Sequence, residues 1–480
     1  MLRLILKQAN WGVVGGLFGF LVGFFVKIYL IDIVGLQAWG KYAIAQTFSS
    51  ISETFLSLGI PFVIIKFIPS FIDNNQQKAS RIANVFIKYS LIVGGLFLLV
   101  IFFGSDYINH FVYNDINDLS WILFVMCIHV PISMLFGVVV SLYRSVLKIK
   151  EIVLYGTVIT VSLRAILTFI IFQYTSDISY FILIEVFTQI IVLSILLYLF
   201  NKNEFSLFVK SDAKEVTSDV IMMGYAKKMF YNSVVAFISV QALSFIISIK
   251  LPAEDVGAYN ILLTLTGLTT FLLVNLNKVF APAISKLFHE ENFLELNNLY
   301  KKTTFLINLI TIPLVVIIAI FADEILGLYT SEMLHYRTYL FFMLVAGMFS
   351  LAAGSSGTFM IMAGLEKENL FIQIVRAVFI ISLSLFLIPS YGMISIVVLY
   401  VIFMLFVNLS QLIYIKQRIN ISPFSEQLLM LLFFAIISMY FAVNQDYIFG
   451  PVHFFLIPMG VYGLYFILMF NPIKSLFKAL

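Results

Sequence analysis

Apolar and polar positions do not alternate along this chain. Apolar residues run on for about twenty at a time, broken by short polar clusters, and a run of about 20 is the length of a helix across a bilayer's hydrocarbon core. Fourteen such runs lie near residues 11–34, 42–68, 83–104, 120–142, 151–172, 180–200, 229–250, 257–281, 303–325, 336–363, 369–388, 393–415, 428–443 and 453–470. The thirteenth is the shortest. The pattern predicts an all-α polytopic membrane protein with about 14 transmembrane helices.

Basic residues in the connections set the direction of the chain. With the N-terminus inside, twenty-one Lys and Arg fall on the inner side and three on the outer, namely Lys41, Lys250 and Arg337. Both termini then face the cytoplasm, which requires an even number of spans. The longest outer loop, "GSDYINHFVYNDINDL", is acidic and leaves no room for a domain. The longest inner connection, residues 201–228, mixes Lys with Asp and Glu and reads as a solvated linker. Composition fits this picture. Of 480 residues 61% are hydrophobic and 11% charged, against about 25% charged in a soluble domain. The first run is too long for a secretory h-region and lacks a small-x-small cleavage site, so it is expected to be retained. The one cysteine, Cys127, sits inside an apolar run, so no intrachain disulfide forms.

The chain contains signs of duplication. "AWGKYAIAQT" (38–47) lies between spans one and two, and "DVGAYNILLT" (255–264) between spans seven and eight. Gly40 and Tyr42 thus match Gly257 and Tyr259 at an offset of 217. "KE" opens span five at 150–151 and span eleven at 367–368, at the same offset. "FGSDYI" (103–108) and "FADEIL" (321–326) each close a third span, offset by 218. The expected organisation is an N-terminal six-helix bundle over 1–205, a cytoplasmic linker over 206–228, a C-terminal six-helix bundle over 229–425, and an additional helix pair and tail over 426–480. Two halves running in the same direction, related by an axis along the membrane normal, are a transporter design. Chance similarity of short loops in a many-helix protein is the competing explanation.

Seven ionisable groups fall inside spans: Lys27, Glu53, Lys66, Arg164, Glu185, Lys278 and Arg376. A charge near the bilayer centre costs on the order of 2.5–3.5 kcal/mol on insertion scales, so it persists where it meets water, a partner or a ligand. Lys66 and Lys278 lie toward inner ends and can snorkel to lipid phosphates. Glu185 lies near the outer end of span six, within reach of water. Lys27, Glu53 and Arg164 are deeper. Gly15, Gly19, Gly23 and Lys27 recur every four residues, as a close-packing stripe that opens at the lysine. Lys27 and Glu53 also sit at depths that permit an ion pair between adjacent spans, in which case they are glue. His129 beside Pro131 reads as a packed histidine at a kink, and "AAGSSG" (352–357) as either a broken helix or close packing. The deep charges are mostly cationic, which favours an anion such as phosphate. There is no P-loop, metal-ligand cluster or nucleophile elbow, and no cofactor is expected.

With the glycine-tyrosine turn after spans one and seven, and "FAPAISKLFHEENFLELNNLYKKTT" after span eight, the chain resembles the polysaccharide transporter and O-antigen flippase branch of the multidrug/oligosaccharidyl-lipid/polysaccharide (MOP) exporter superfamily. The resemblance covers essentially the whole chain. It implies a flippase of the bacterial inner membrane that moves an undecaprenyl-pyrophosphate-linked oligosaccharide by alternating access through a basic central cavity. Carried onto this sequence, it makes Lys27, Arg164, Arg376 and Lys278 the cavity cations, with Glu53 and Glu185 for charge balance or ion coupling. The implied partners are the lipid-linked substrate, membrane lipids, a coupling ion (H+ or Na+) and polysaccharide assembly proteins, with no nucleic acid and no enzymatic step. Arg164 and Arg376 do not superpose at the 217 offset. A drug exporter or a peptidoglycan-precursor flippase shares the architecture. A membrane-embedded polymerase or glycosyltransferase would need a larger outer loop than any here.

Overall fold

The computed structural model describes residues 2–72, 75–209, 220–443, 460 and 463 of the chain. The expected fourteenth span apart from Gly460 and Gly463, Lys210 and Lys214 of the expected linker, and the side chain of Lys278 lie outside the described residues. No strand occurs among the described residues, and nine helices are long and apolar enough to cross a membrane by length and composition. Three shorter apolar helical stretches, Ile60–Ile72, Gln241–Lys250 and Glu426–Tyr440, add to them. The chain is a multi-pass, all-α membrane protein.

The chain divides into two compact units, Met1–Gly257 and Ala258–Leu480. In unit 1 the helices are α1 (Leu2–Leu56), α2 (Ile60–Ile72), α3 (Gln76–Tyr113), α4 (Leu119–Cys127), α5 (His129–Ser145), α6 (Ile149–Val153), α7 (Thr160–Ile171), α8 (Ile178–Asn203) and α9 (Val220–Lys250). A π-helical turn, Leu154–Ile159, joins α6 to α7. The next helix, α10 (Ala253–His289), begins in unit 1 and continues into unit 2. Unit 2 goes on with α11 (Phe293–Ile320), α12 (Ala322–Gly327), α13 (Arg337–Ala353), α14 (Ser356–Met362), α15 (Glu366–Tyr391), α16 (Met393–Ile419) and α17 (Glu426–Val443).

Four connections differ from the expectation. Spans one and two meet without a loop at Gly35, a non-helical kink whose φ of 81° suits a residue without Cβ, and span two is itself interrupted at 57–59 before α2. The glycine-tyrosine stretch lies past that kink and is helical, so it is not a turn. The matching stretch in α10 is helical too, and the break before it falls at Leu251 and Pro252. Helix α3 runs through most of the expected acidic loop and stops at Asn114, which takes a left-handed conformation (φ 55°). Helix α9 starts at Val220, inside the expected linker, and packs on α1, α2 and α3 of unit 1.

Local chemistry explains the starts and stops. Asn75 and Asp177 cap α3 and α8, accepting from Lys78 N at 3.1 Å and Ser179 N at 2.8 Å. At α11, Asn292 accepts from Glu295 N at 3.2 Å and its Nδ2 donates back to Glu295 Oε2 at 2.9 Å. The glycine stripe of α1 brings backbones together. A Cβ on Gly15 would stand 2.1 Å from Val153 Cγ1 and one on Gly19 2.9 Å from Thr157 Cγ2, whereas Gly23 meets nothing within 4 Å. The stripe therefore seats α1 on the π-helical region and opens before Lys27.

Apolar residues split between core and outer face. In unit 1, Ile64, Val139, Leu142 and Leu196 are wholly or almost wholly buried in one cluster. On α3, Phe102, Phe103 and Val100 are exposed, as a lipid-facing surface requires. In unit 2 the "AAGSSG" stretch is a broken helix. Gly354 has φ 62° and ψ −141°, and α14 restarts at Ser356. Side chains make good the interruption: Tyr300 donates to Ala353 O at 2.7 Å and Ser356 to Gln411 Oε1 at 2.7 Å.

Candidate functional site: a polar cavity in unit 1 and a buried arginine in unit 2

Past its kink, α1 carries Gln46, Ser49, Ser50 and Glu53 at i, i+3, i+4 and i+7, one face of a helix. All four line a cavity of ≈ 310 Å³ inside unit 1. Helices α4, α5, α7 and α8 contribute Met126, His129, Thr160, Arg164, Glu185 and Gln189 to the same wall. The π-helical turn shapes this wall. Thr160 Oγ1 donates back to Tyr155 O at 3.0 Å, and Gly156 presents no side chain where Phe136 approaches.

The centre of the wall is an ion pair. Arg164 Nη1 lies 2.7 Å from Glu185 Oε1, with side-chain exposures of 27% and 10%. The other carboxylate oxygen accepts from Tyr42 Oη at 2.9 Å, and Gln46 Nε2 donates to that hydroxyl at 3.3 Å. Tyr42 stacks on Trp39 (4.6 Å between centroids) and meets Phe181 edge-on (5.5 Å). Lys27 Nζ lies 5.0 Å from the Trp39 centroid, a cation–π contact made possible because the kink at Gly35 folds the two parts of α1 together. Its charge also interacts with that of Glu185. His129 Nδ1 is 2.8 Å from Ser133 Oγ, which Gln189 Nε2 approaches at 3.4 Å. Ser133 is buried and does not line the cavity, so the pair anchors the imidazole.

The sequence-derived residues are thus distributed differently from the expectation. Glu185 is buried beside Arg164, not in reach of outer water. Arg164's partner is Glu185, and Glu53, which lines the cavity, has no ion pair or side-chain hydrogen bond with a described residue. The proposed Lys27–Glu53 pair does not form. The ionisable walls comprise one guanidinium, two carboxylates and His129. The expected surplus of bases therefore does not lie in this cavity. Lys66 is exposed and sits 3.8 Å from the Tyr225 ring centroid.

In unit 2, Arg376 projects from α15. Tyr259 of α10 and Tyr400 of α16 are the ionisable groups it interacts with, and Tyr400 shares a side-chain hydrogen bond with Thr266. Arg376 Nε is buried without a hydrogen bond, and no carboxylate among the described residues pairs with the guanidinium. Gln46 and Gln189 are uncharged and stand out in the sequence less than Arg164 or Glu185, and Tyr42 stands out there only through its match to Tyr259. The i, i+3, i+4, i+7 polar set on α1 was the signal that would have found half of the wall.

Fold comparisons place this architecture. It superposes on the lipid II flippase MurJ in an inward closed conformation with a TM-score of 0.70 and 16% identity, over 96% of this chain and 99% of that one. An inward-facing multidrug resistance MATE family transporter matches with a TM-score of 0.64 and 14% identity over 83% and 94% of the two chains. A MOP superfamily transporter from Pyrococcus furiosus matches with 0.59 and 13% over 87% and 96%. The fold is therefore that of MOP-superfamily transporters. Within that class, the sequence matches the family described as polysaccharide biosynthesis protein over residues 32–336, and the chain belongs to it. No curated protein matches the sequence.

Proposed function

We propose that this protein is a flippase carrying an undecaprenyl-pyrophosphate-linked oligosaccharide, an O-antigen or other surface-polysaccharide repeat unit, from the inner to the outer leaflet of the bacterial cytoplasmic membrane. Both termini lie in the cytoplasm, movement is by alternating access, and the chain performs no bond-making step. The observation that carries this reading is a half-buried guanidinium in each unit, each interacting electrostatically with one of the two tyrosines matched at the 217 offset: Arg164 with Tyr42 and Arg376 with Tyr259. Bases deep in apolar helices are retained where they meet an anion. Family membership supports a glycan as the cargo. It also favours this reading over a peptidoglycan-precursor flippase, whose carrier lipid and fold would be shared.

Lys27 and Lys278 complete the set of cations offered to the pyrophosphate and sugar. Glu53, lining a polar cavity without a partner among the described residues, is the carboxylate best placed to take a coupling H+ or Na+. Glu185 balances charge.

The test is surface-polysaccharide export in a deletion strain. Complementation with the wild-type gene is expected to restore export, and Lys27→Ala and Arg376→Gln to leave it strongly reduced at normal protein level. Normal export with both variants would remove these residues from transport.

A further inference from the structure

Unit 2 holds a cavity of a different character from the polar one in unit 1. It lies between α13 and α17 and measures ≈ 590 Å³, within the usual size of ligand pockets, about 300–1,000 Å³. Phe341, Val345 and Phe349 of α13 and Leu432, Ile436 and Met439 of α17 line it. Ile436 and Phe349 are exposed, so the groove opens toward the hydrocarbon that surrounds a span.

Its polar groups gather at one end. Arg337 and Thr338 open α13, at what the charge bias of the connections makes the outer surface. Spans alternate in direction, so α17, three spans after α13, runs opposite to it and brings Tyr440 toward the same end. Arg337 Nη1 lies 3.0 Å from Asp323 Oδ2 of α12, and its Cζ 5.6 Å from the Phe341 ring centroid. From Arg337 to Phe349, twelve residues, α13 rises about 18 Å. One leaflet's share of the hydrocarbon core is about 15 Å. The groove thus has the depth of a leaflet, apolar walls, and a charge pair at its head.

The charge pair also selects the head of the lipid. Arg337 offers donors to a phosphate. Asp323, with 41% of its side chain exposed, opposes a head that is anionic overall, a pyrophosphate included, and attracts an ammonium. A primary ammonium donates hydrogen bonds to that carboxylate, which a trimethylated choline cannot do. We propose that the α13–α17 groove binds a zwitterionic glycerophospholipid with a primary ammonium head, phosphatidylethanolamine. One acyl chain lies along the aromatic wall, the phosphate meets Arg337 and the ammonium meets Asp323. The site shares no residue with the unit 1 cavity or the Arg376 cluster, and it does not depend on which cargo the protein carries.

The experiment uses the purified full-length protein reconstituted in equal parts phosphatidylethanolamine, phosphatidylglycerol and phosphatidylcholine, then re-extracted in mild detergent. Lipids that stay bound are identified and counted by native mass spectrometry. Wild type is expected to retain phosphatidylethanolamine over phosphatidylglycerol at least about fivefold, the effect of one charge near a membrane surface. Asp323→Asn should reverse that order, since an anionic head then meets Arg337 unopposed. Arg337→Gln should lose the retained lipid, and Arg337→Lys should keep part of it. Val345→Trp, which fills the groove, should lose it with both charges in place. Should Arg337→Gln give no monodisperse sample, Asp323→Asn decides. Equal retention of the two lipids by wild type, an order that Asp323→Asn leaves unchanged, or wild-type retention by Val345→Trp would overturn the assignment.

Discussion

The Arg164 and Arg376 sites show two ways for a span to keep an arginine. In unit 1 the charge is balanced internally: Glu185 takes the guanidinium, Tyr42 holds the second oxygen, and Gln46 supports Tyr42. In unit 2 no carboxylate among the described residues pairs with Arg376, whose charge interacts with Tyr259 and Tyr400. A satisfied pair defines a shape and holds helices in register. A guanidinium without such a pair does less to hold its helices in register.

The largest effect is expected at the matched glycines, both of which lie in unit 1. A Cβ on Gly40 would stand 1.7 Å from the carbonyl oxygen of Ala253, a backbone atom that cannot step aside by changing rotamer. A Cβ on Gly257 would stand 2.7 Å from Leu36 O. Both clash, but by different amounts. Gly40→Ala is expected to cost about 3 kcal/mol or more, at the upper end for overpacking, and Gly257→Ala about 1–2 kcal/mol. Thermal unfolding in detergent, followed by loss of the monodisperse peak, ranks them. Equal midpoints would mean that the two positions are not differently packed.

The next effect separates the arginines themselves. Glu185→Leu leaves Arg164 facing Tyr42 with no counter-charge. A fully buried pair broken this way costs ~3–5 kcal/mol; Arg164 keeps some contact with cavity water, so about 2–3 kcal/mol is expected. Replacing both partners, as Arg164→Met/Glu185→Leu, should restore most of the loss, because no charge is then stranded. Tyr400→Phe in unit 2 removes a neutral hydrogen bond with Thr266 and strands no charge, so about 1 kcal/mol follows. If Glu185→Leu proves no worse than Tyr400→Phe, the ion pair contributes nothing to holding unit 1 together.

How far the sequence reached depended on the range of the interactions involved. Membrane spans are legible because hydrophobic length is a local property, and nine long apolar helices recur among the described residues. The glycine stripe before Lys27 was legible for the same reason, since four-residue spacing on one helix fixes a face. Charges were legible as unusual, but their partners were not. Arg164 and Glu185 are on neighbouring helices whose rotation depends on the π-helical turn at Leu154–Ile159, and nothing in "LYGTVI" announces it. Lys27 was placed at the mouth of a cavity, yet it covers Trp39 because a single glycine, Gly35, bends the chain there. The glycine-tyrosine motif was read as a turn when it is a helix start, because a glycine that permits close approach looks the same in sequence as one that permits positive φ.

The finest contrast lies in the matched tyrosines, which are chemically identical and both buried. Tyr42 donates to a Glu185 oxygen at 2.9 Å and accepts from Gln46, so its hydroxyl joins the Arg164–Glu185 pair. Tyr259 has no hydrogen bond with a described residue and contributes mainly its ring. Tyr42→Phe therefore removes a charge-assisted bond and strands one carboxylate oxygen, at about 1.5 kcal/mol. Tyr259→Phe keeps the ring and loses a hydroxyl that bonds no described residue, so less than about 0.5 kcal/mol is expected. A double-mutant cycle of Tyr42→Phe with Glu185→Gln should show coupling of about 1 kcal/mol, as residues in direct contact do. Additive effects would mean that the hydroxyl and the carboxylate act independently, and the network that sets unit 1 apart from unit 2 would reduce to the Arg164–Glu185 pair alone.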